Sequence, residues 1–221
     1  MSEISESFDL QRPELIKAIL ERRSVRTGFE DIDVPGDIAE DIVECGLSAP
    51  SSKNAQPWRL HVVNNQGTLT QIAKDVISAK GPGAEFIPHD PITGEPRLEY
   101  RDTVQESAHV LGNVPLGIFI ENLGRFSVSR EVVANAKINS YGAVFGFGLE
   151  YIGLGACIEN MWLAAEAYGY RAVFMGDVAI AEESIKERLN ISGDLVGVLA
   201  VGKATPTIQP KIIKEDRVIW H

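Results

Sequence analysis

The sequence predicts a globular domain that combines α-helices with β-strands, because two different periodicities of apolar residues occur along the chain. Leu15, Ile16, Ile19 and Leu20 recur at helical spacing. The run at 113–121 is a short apolar segment between polar ends, which is typical of a buried strand. Of the 221 residues, 44% are hydrophobic and 24% are charged, as in proteins that bury a substantial core. We therefore expect one large domain or two small ones.

The N-terminal third is predicted to contain two helices, a strand and a further helix. Pro13 occupies a favoured first-turn position of the first helix, and Asp37 begins the second. Apolar and polar residues alternate from Trp58 to Val62, which predicts a strand with one buried face. His61 is interpreted as a surface residue of this strand, and Thr68 is a candidate cap for the third helix.

The C-terminal half contains the most apolar part of the chain. Residues 157–170 are predicted to form a central helix that is packed on most sides, with Gly169 as its stop. We interpret the apolar run at 143–165 as a buried helix and not as a membrane span, since glycines and glutamates interrupt it. The other predicted elements are a helix from Arg130 to about Tyr141, a strand at 171–175, a helix at 181–189 and a strand at 195–201.

Residues 80–105 interrupt this regular pattern. They are rich in glycine and proline, and neither a helical nor a strand period continues through them. A long irregular insertion in a compact domain is usually a functional lid or a mobile segment. Two alternatives remain for its polar side chains, namely contact with a substrate or exposure to solvent. The candidates are His89, Arg97, Tyr100 and Arg101.

A cluster of cationic side chains follows the first helix. Arg22, Arg23 and Arg26 lie within five residues together with Ser24, although the chain has a formal net charge of −10. The planar guanidinium matches phosphate oxygens in a bidentate manner, which favours an anion site. The alternative is that these side chains stabilise the negative C-terminal end of the helix dipole. The two interpretations are compatible.

A second polar stretch, Ser48–Trp58, lies between the second helix and the first strand. Pro50 and Pro57 exclude regular structure from it. The side chains between these prolines are short or planar hydrogen-bonding groups, which suit the edge of a planar polar ligand. An ordinary capped turn is the alternative, because serine, asparagine and proline are common in turns. The groups concerned are Ser51, Ser52, Asn54 and Gln56.

Composition argues against several classes of function. With 21 Lys and Arg against 31 Asp and Glu, we expect no non-specific binding to nucleic acid or to anionic membranes. Cys45 and Cys157 are far apart and the N-terminus has no signal-peptide pattern, so we expect reduced core thiols in a cytoplasmic protein. No metal-ligand spacing, nucleophile triad or paired carboxylate occurs. An enzyme with this sequence would therefore delegate its bond changes to a cofactor.

The order of the motifs resembles the nitroreductase family of FMN-dependent oxidoreductases from about residue 13 onward. The similarity rests on the Arg-Arg-Ser-Val-Arg segment at 22–26 and on the loop that ends Asn-Ala-Gln-Pro-Trp at 54–58. Glu159–Ala165, the segment 169–176 and Gly202-Lys203 follow in the expected order. One departure is Arg171, where the family often has glycine. Its side chain either changes the pocket or faces solvent.

The resemblance implies an α+β sandwich with a central, mostly antiparallel sheet flanked by helices. It implies a single FMN-binding domain over 1–221, with a lid-like insertion at about 80–105. It also implies an obligate homodimer with two FMN sites at the interface. The C-terminal tail, which ends in the apolar residues Val218, Ile219 and Trp220, is expected to pack on the partner subunit.

The resemblance also assigns site residues. Arg22, Arg23 and Ser24 are expected at the phosphate and ribityl end of FMN, and Arg26 near the pyrimidine edge. The backbone of Met175 and Gly176 is expected near flavin N5. The residues expected to reach the flavin from the other subunit are Pro50, Ser51, Ser52 and Asn54. Gln56 is added to them, although the resemblance implies its role less directly. A lysine of the tail is expected to close on the phosphate, either Lys211, which we favour, or Lys214.

The activity implied is ping-pong transfer of hydride from NADH or NADPH, through flavin N5, to a small acceptor such as a nitroaromatic compound or a quinone. All bond changes then occur on the cofactor, so no side chain is expected to be catalytic. The sequence leaves open which donor and which acceptor are used. It also leaves open a reductive dehalogenase, an FMN-degrading enzyme or a non-catalytic flavin-binding protein of the same fold.

Overall fold

The computed structural model describes residues 13–90, 92–124, 148–205 and 218–220, which contain an antiparallel β-sheet flanked by helices. The helices in these ranges are α1 (Glu14–Glu21), α2 (Gly36–Leu47), α3 (Gln66–Lys80), α4 (Thr103–Leu111), α5 (Leu149–Ala167) and α6 (Glu182–Leu189). The strands are β1 (Trp58–Val63), β2 (Leu116–Asn122), β3 (Arg171–Met175) and β4 (Asp194–Gly202), and short 3₁₀ segments lie at Ser52–Asn54 and Asp177–Ala181.

The four strands form one sheet in the order β1-β2-β4-β3, and each neighbouring pair is antiparallel. The prediction of an α+β fold around a mostly antiparallel sheet is therefore confirmed. The central strand β2 is buried along its whole length. β1 and β3 are the outer strands of this sheet. The Arg22–Arg26 segment lies along the edge of β3.

Side chains of the sheet alternate between two hydrophobic cores, as the period of two in a strand requires. Phe119 and Val198 face a core completed by α3, α4 and α6. Ile118 and Leu199 face a second core completed by α2 and α5. Each large apolar side chain that is buried in this way stabilises the fold by about 1.5–3 kcal/mol. Helices on both faces thus hold the strand ends in fixed positions.

The end of α5 follows the sequence prediction. Gly169 adopts a left-handed conformation with a φ of +72°, as expected for a glycine at a helix stop. Its N–H donates to the carbonyl of Glu166 at 2.9 Å. Lys203 donates from Nζ to the carbonyls of Tyr168 and Gly169 at 3.3 and 3.0 Å, which satisfies acceptors that a helix end leaves open. This stop directs the chain into β3.

Several local predictions are wrong. Asn65, not Thr68, caps α3, because its Oδ1 accepts the Thr68 N–H at 2.8 Å. Strand β1 does not bury one face alone: Val63 packs into the core beside α3, whereas Val62 is 46% exposed. This happens because the edge strand β1 contributes to both cores. Cys45 is exposed and is not a core thiol, whereas Cys157 is buried.

Apolar side chains of the first helix remain exposed. Leu15 is 63% exposed, and Ile16, Ile19 and Leu20 are each about 40% exposed. At the other end of the described chain, Trp220 is 92% exposed. These surfaces are apolar without being covered by any described part of the same chain. The helix predicted from Arg130 to about Tyr141 lies outside the described residues. Within those residues, every helix is too short or too polar to cross a membrane.

Candidate functional site

The arginine segment is held against the edge of the sheet by its backbone. Val25 is buried, and its N–H donates to the carbonyl of Ala172 in β3 at 3.1 Å. Ser24 forms a parallel bridge with the same residue. Because the bridge is parallel, the chain from Ser24 to Arg26 runs in the direction of β3 toward Met175. The side chains on either side of Val25 are thereby placed along one edge of the sheet.

Arg22 lies in a partly enclosed charged cluster. Its Nε is 3.1 Å from Glu159 Oε1, and its guanidinium carbon is 4.2 Å from the centre of the Trp162 ring. Its Nη1 is buried and has no hydrogen-bond partner among the described residues. Arg171 pairs with Glu166 in the same region. Arg171 therefore contributes to the cluster and does not simply face solvent.

Burial raises the pKa of the Glu166 carboxyl above its usual value. Loss of hydration disfavours the charged form, and this effect outweighs the charge and hydrogen bond of Arg171 and the more distant charges of Arg22 and Arg23. One of its oxygens, Oε1, is buried without a hydrogen-bond partner. The cluster thus contains both a cationic donor and a carboxylate oxygen that the described protein leaves unsatisfied.

Arg23 and Ser24 occupy different environments. The Nη1 of Arg23 donates to the carbonyls of Leu20 and Arg22 at 2.8 and 2.9 Å. These bonds satisfy carbonyls at the C-terminal end of α1, so the helix-capping interpretation holds for Arg23. Ser24 is exposed, and its hydroxyl forms no hydrogen bond with the described residues. Arg23 therefore supports the helix end from which Ser24 and Arg26 extend.

Arg26 reaches helix α4. Its Nε lies 3.1 Å from Glu106 Oε2. One residue further along α4, the Ser107 hydroxyl donates to Asp177 Oδ1 at 2.7 Å. Asp177 follows Gly176 directly at the end of β3. Helix α4 therefore contacts both the arginine segment and the residue that follows β3, and it lies beside both of them.

The proline-framed loop lies elsewhere on the sheet. Pro57 is buried, whereas Pro50 is exposed and Ser52 is partly exposed. The Ser51 hydroxyl accepts the Gln56 N–H at 3.0 Å, and Gln56 Nε2 donates to Asn54 Oδ1 at 3.0 Å. The loop thus organises several of its own polar groups.

The backbone of this loop is strained in the left-handed region. Lys53, Asn54 and Gln56 have φ angles of 52°, 54° and 46°, which are uncommon for residues other than glycine. Asparagine tolerates this conformation better than most residues. The loop also packs closely on α5, since a Cβ added at Gly153 would lie 3.3 Å from Ser51 Cβ. Such strain is commonly kept at ligand-binding sites.

The two predicted halves of the site do not meet within one chain. The loop precedes β1, and the arginine segment lies on β3, which is the opposite edge of the sheet. Three strand spacings separate these edges by about 14 Å. The structure therefore brings Arg22, Ser24, Arg26, Met175 and Gly176 to one edge and leaves the loop at the other. Lys211 and Lys214 lie outside the described residues.

Sequence reasoning missed a buried carboxylate cluster around Glu121. Its Oε2 accepts from His61 Nε2 at 2.8 Å and from Arg59 at 3.3 Å. Its Oε1 accepts the Ser192 and Gly193 N–H groups and the Ser192 hydroxyl. His61 is thus not merely a surface residue. The available signal was the spacing of Arg59 and His61, which places both on one side of β1.

These hydrogen bonds set the charge state of Glu121. Burial alone would raise the pKa of the carboxyl, but the donors from His61, Gly193 and Ser192 and the charge of Arg59 lower it to about 2. Glu121 is therefore ionised and fully partnered at neutral pH. The cluster joins β1, β2 and the turn before β4, so it supports the sheet.

The insertion between α3 and α4 contains neither helix nor regular strand in its described part, yet it has a defined base. Asp102 accepts the Phe86 N–H at 3.0 Å and caps α4 at the Gln105 N–H. Lys80 lies 3.0 Å from the same carboxylate. Further along, Arg97 N–H donates to the carbonyl of Pro88 at 2.8 Å. The insertion is thus a hairpin-like excursion anchored beside α4.

Comparison with known proteins places these features in a family. The model of the Nitroreductase family matches residues 19–203. An NADPH-dependent oxidoreductase from Staphylococcus epidermidis is 25% identical over 171 residues, which are 77% of this chain and 56% of that protein. The chain therefore spans only about half the length of this relative.

Two solved structures share the fold. A nitroreductase with bound FMN from Desulfitobacterium hafniense has a TM-score of 0.70 and 18% identity, and the match covers 96% of this chain and 100% of that one. A nitroreductase with bound FMN from Bacteroides fragilis has a TM-score of 0.65 and 17% identity, with coverage of 95% and 100%. Because the family model covers most of its residues, the chain belongs to the nitroreductase family.

Proposed function

We propose that this chain is an FMN-dependent oxidoreductase that takes electrons from NADH or NADPH and passes them to a small organic acceptor. The two structural neighbours named above carry FMN, and the Staphylococcus relative is an NADPH-dependent oxidoreductase. The observation that carries the proposal is the buried Nη1 of Arg22, which has no hydrogen-bond partner among the described residues. A buried donor without a partner is costly unless a ligand satisfies it.

The donors at this edge of the sheet fit the chemistry of FMN. Arg22 supplies an unsatisfied guanidinium N–H, and Ser24 supplies an exposed hydroxyl, which together suit a phosphate. Arg26 adds a second cation further along the same edge. In this proposal Arg22, Arg23 and Ser24 hold the phosphate end of FMN. Arg23 contributes partly by stabilising the C-terminal end of α1, from which Ser24 extends. Lys211 or Lys214 would complete the phosphate site.

The remaining residues orient the ring. In this proposal Arg26 would lie at the pyrimidine edge, and the backbone of Met175 and Gly176 would border the reactive edge of the ring. FMN, when bound there, would supply the hydride-transfer chemistry. The protein contributes binding, orientation and electrostatics. A ping-pong order of donor and acceptor follows if both occupy the same exposed face of the ring.

We further propose that the working form is a homodimer. The loop residues Pro50, Ser51, Ser52, Asn54 and Gln56 then complete the site of the partner subunit. Support comes from the distance of about 14 Å between the two sheet edges, which leaves each chain with two separate half-sites. The exposed apolar residues of α1 and the exposed Trp220 also favour a partner. Light scattering at several protein concentrations tests this assembly.

We also propose one FMN-binding domain over 1–221, in which the insertion at 80–105 acts as a lid, and a cytoplasmic location. The anchoring of the insertion by Asp102 and its position beside α4 support the lid. Two observations would contradict it: a deletion of the exposed tip that leaves all acceptor specificities unchanged, or a substrate complex in which the insertion contacts nothing.

The visible spectrum of the purified protein tests the central proposal. We expect absorption near 450 nm in a roughly 1:1 ratio of FMN to chain, as flavin chemistry requires, and bleaching on anaerobic addition of NADH or NADPH. A flavin that is bound but not bleached by either donor would support a storage role or another reductant. A protein that is colourless and fails to bind added FMN would contradict the proposal.

A further inference from the structure

We infer that Glu106 is a positioning residue that orients Arg26 toward FMN and sets the reduction potential of the cofactor. This inference rests on the proposed function. Its basis is the contact between Glu106 Oε2 and Arg26 Nε at 3.1 Å. The Glu106 side chain is 24% exposed and that of Arg26 is 42% exposed, so the pair lies partly out of solvent, where a charge acts more strongly than in water.

Two independent hydrogen bonds fix the position of Glu106 relative to the proposed flavin edge. Val25 is bonded to Ala172 in β3, which places Arg26 further along that strand. The hydroxyl of Ser107, the neighbour of Glu106, donates a hydrogen bond to Asp177, which follows Gly176. Glu106 is therefore fixed between the arginine segment and the end of β3, beside the two segments that we propose border the ring.

In the ion pair between Glu106 and Arg26, the carboxylate lies at the Nε side of the guanidinium. Glu106 lies closest to Nε, and no described residue accepts a hydrogen bond from the two terminal nitrogens of Arg26. A guanidinium is a planar fork, so binding at Nε fixes the plane and leaves terminal N–H groups available to a ligand. Glu106 thus orients Arg26 without occupying the atoms that would meet the cofactor.

The other carboxylate near this contact, that of Asp102, is already paired. Glu106 lines a cavity of about 380 Å³ together with Arg101, Asp102, Gln105 and His109. The carboxylate of Asp102 is held by Lys80 at 3.0 Å and by backbone N–H groups. Glu106 is therefore the carboxylate of this cavity that faces Arg26, in the part of the chain that the structure describes.

The sign of the effect follows from charge. Reduction adds negative charge to the pyrimidine side of the flavin, which Arg26 favours. The carboxylate of Glu106 opposes this gain and cancels part of the field of Arg26. Removing the negative charge while keeping the shape should therefore favour the reduced cofactor. Removing the positive charge should disfavour it.

The test is a double-mutant cycle read by the midpoint potential of bound FMN. Glu106→Gln should tighten reduced relative to oxidised FMN about three- to fivefold, the range of a partly exposed ion pair. For a two-electron couple this raises the potential by about 15–20 mV. Arg26→Gln should lower it, and the double variant should return toward the wild-type value. The potential is measured by anaerobic titration against a reference dye.

Two matched variants separate charge from folding. Glu106→Asp keeps the charge and should leave the potential nearer to wild type than Glu106→Gln does. Glu99→Gln removes an exposed carboxylate that pairs with Arg97 and should leave the potential unchanged. FMN affinity, measured by quenching of flavin fluorescence, shows that each variant still holds the cofactor.

The outcomes distinguish this inference from the proposed function. An unchanged or lowered potential in Glu106→Gln with FMN bound overturns the inference and leaves the proposed function intact. Equal shifts in Glu106→Asp and Glu106→Gln also overturn it, because the effect would then be one of packing. Failure of the wild-type protein to bind FMN overturns both.

Discussion

Two charged clusters on the sheet differ in how completely their polar atoms are satisfied. The Glu121 cluster gives one buried carboxylate five donors, from Arg59, His61, Ser192 and Gly193. The Arg22 cluster has more charged groups but leaves buried atoms without hydrogen-bond partners. These atoms are Arg22 Nε and Nη1, Trp162 Nε1 and Glu166 Oε1.

The pKa values of the two buried carboxyls shift in opposite directions. Burial opposes ionisation in both, but the donors around Glu121 overcome it and lower its pKa to about 2. At Glu166, the partner Arg171 does not compensate, and the pKa is raised. Both carboxyls are buried, so the number and placement of their donors decide the direction of each pKa shift.

The difference separates a structural role from a binding role. A buried polar atom without a partner costs about 1–3 kcal/mol, so a fold keeps one where another group will satisfy it. The Glu121 cluster is complete without a ligand, and it joins strands. The Arg22 cluster is incomplete within the described chain, and an anion with acceptor oxygens would satisfy its unpartnered donors on Arg22 and Trp162. Three substitutions test this contrast.

The largest effect is expected from Glu121→Ala, which should destabilise the protein by about 3 kcal/mol. The substitution leaves the Gly193 N–H and the Ser192 groups buried without their acceptor, and it removes the charge partner of Arg59 and His61. The measurement is urea unfolding at fixed protein concentration. As a control, Glu99→Ala removes an exposed carboxylate and should change stability by no more than about 0.5 kcal/mol.

The same carboxyl gives a pH dependence with a definite sign. Its folded pKa of about 2 lies below the ordinary glutamate value of 4.5, so the folded state binds fewer protons between these two pH values. Its contribution to stability is therefore complete above about pH 5 and is lost as the pH falls toward 2. Glu121→Ala should lose less stability than wild type over this interval. An equal loss in both proteins would contradict the assignment.

The second effect concerns the incomplete cluster. Arg22→Gln should weaken FMN binding about 10- to 100-fold, because a charge-assisted hydrogen bond contributes about 1.5–3 kcal/mol. Stability without FMN should change much less than in Glu121→Ala, since Nη1 has no hydrogen-bond partner among the described residues and the ion pair with Glu159 is partly exposed. The measurement is fluorescence titration with FMN.

Arg97→Gln is the matched control for Arg22→Gln. Arg97 also stacks on an aromatic ring, at 4.4 Å from the centre of the Tyr100 ring, but it lies in the exposed insertion. Its replacement should leave FMN affinity unchanged. If both variants bind FMN as tightly as wild type, Arg22 has only a packing role on Trp162.

The sequence predicted those parts of the fold that depend on local pattern. The strand at 171–175 and the stop at Gly169 are found where they were predicted, because apolar period and glycine conformation act within a few residues. The anion-site hypothesis for Arg22 also began from local composition. Its present support is an unsatisfied atom beside Trp162, a contact that no local pattern contains.

The Glu121 cluster could not be predicted because it depends on strand register. Arg59 is directly opposite Glu121 in the β1–β2 pair, and Ser192 reaches the same carboxylate from more than 70 residues away. In the sequence Glu121 is only the polar end of an apolar run. At Arg23 the composition allowed both phosphate binding and helix capping. Only the hydrogen bonds from its guanidinium to the carbonyls of Leu20 and Arg22 show the capping.

The smallest effect is expected from Glu166→Gln, and it links the pKa of that carboxyl to the anion. The folded pKa of Glu166 is raised above its usual value, so ionisation as the pH rises from about 4.5 removes stability. A phosphate held by Arg22 would add negative charge nearby and raise this pKa further. FMN affinity should therefore fall with rising pH more steeply in wild type than in Glu166→Gln. The FMN phosphate titrates equally in both proteins, so the difference between their affinity curves reports Glu166 alone. If FMN affinity depends on pH in the same way in both proteins, the phosphate does not bind near Glu166. Phosphate binding would then not explain the unsatisfied atoms of this cluster.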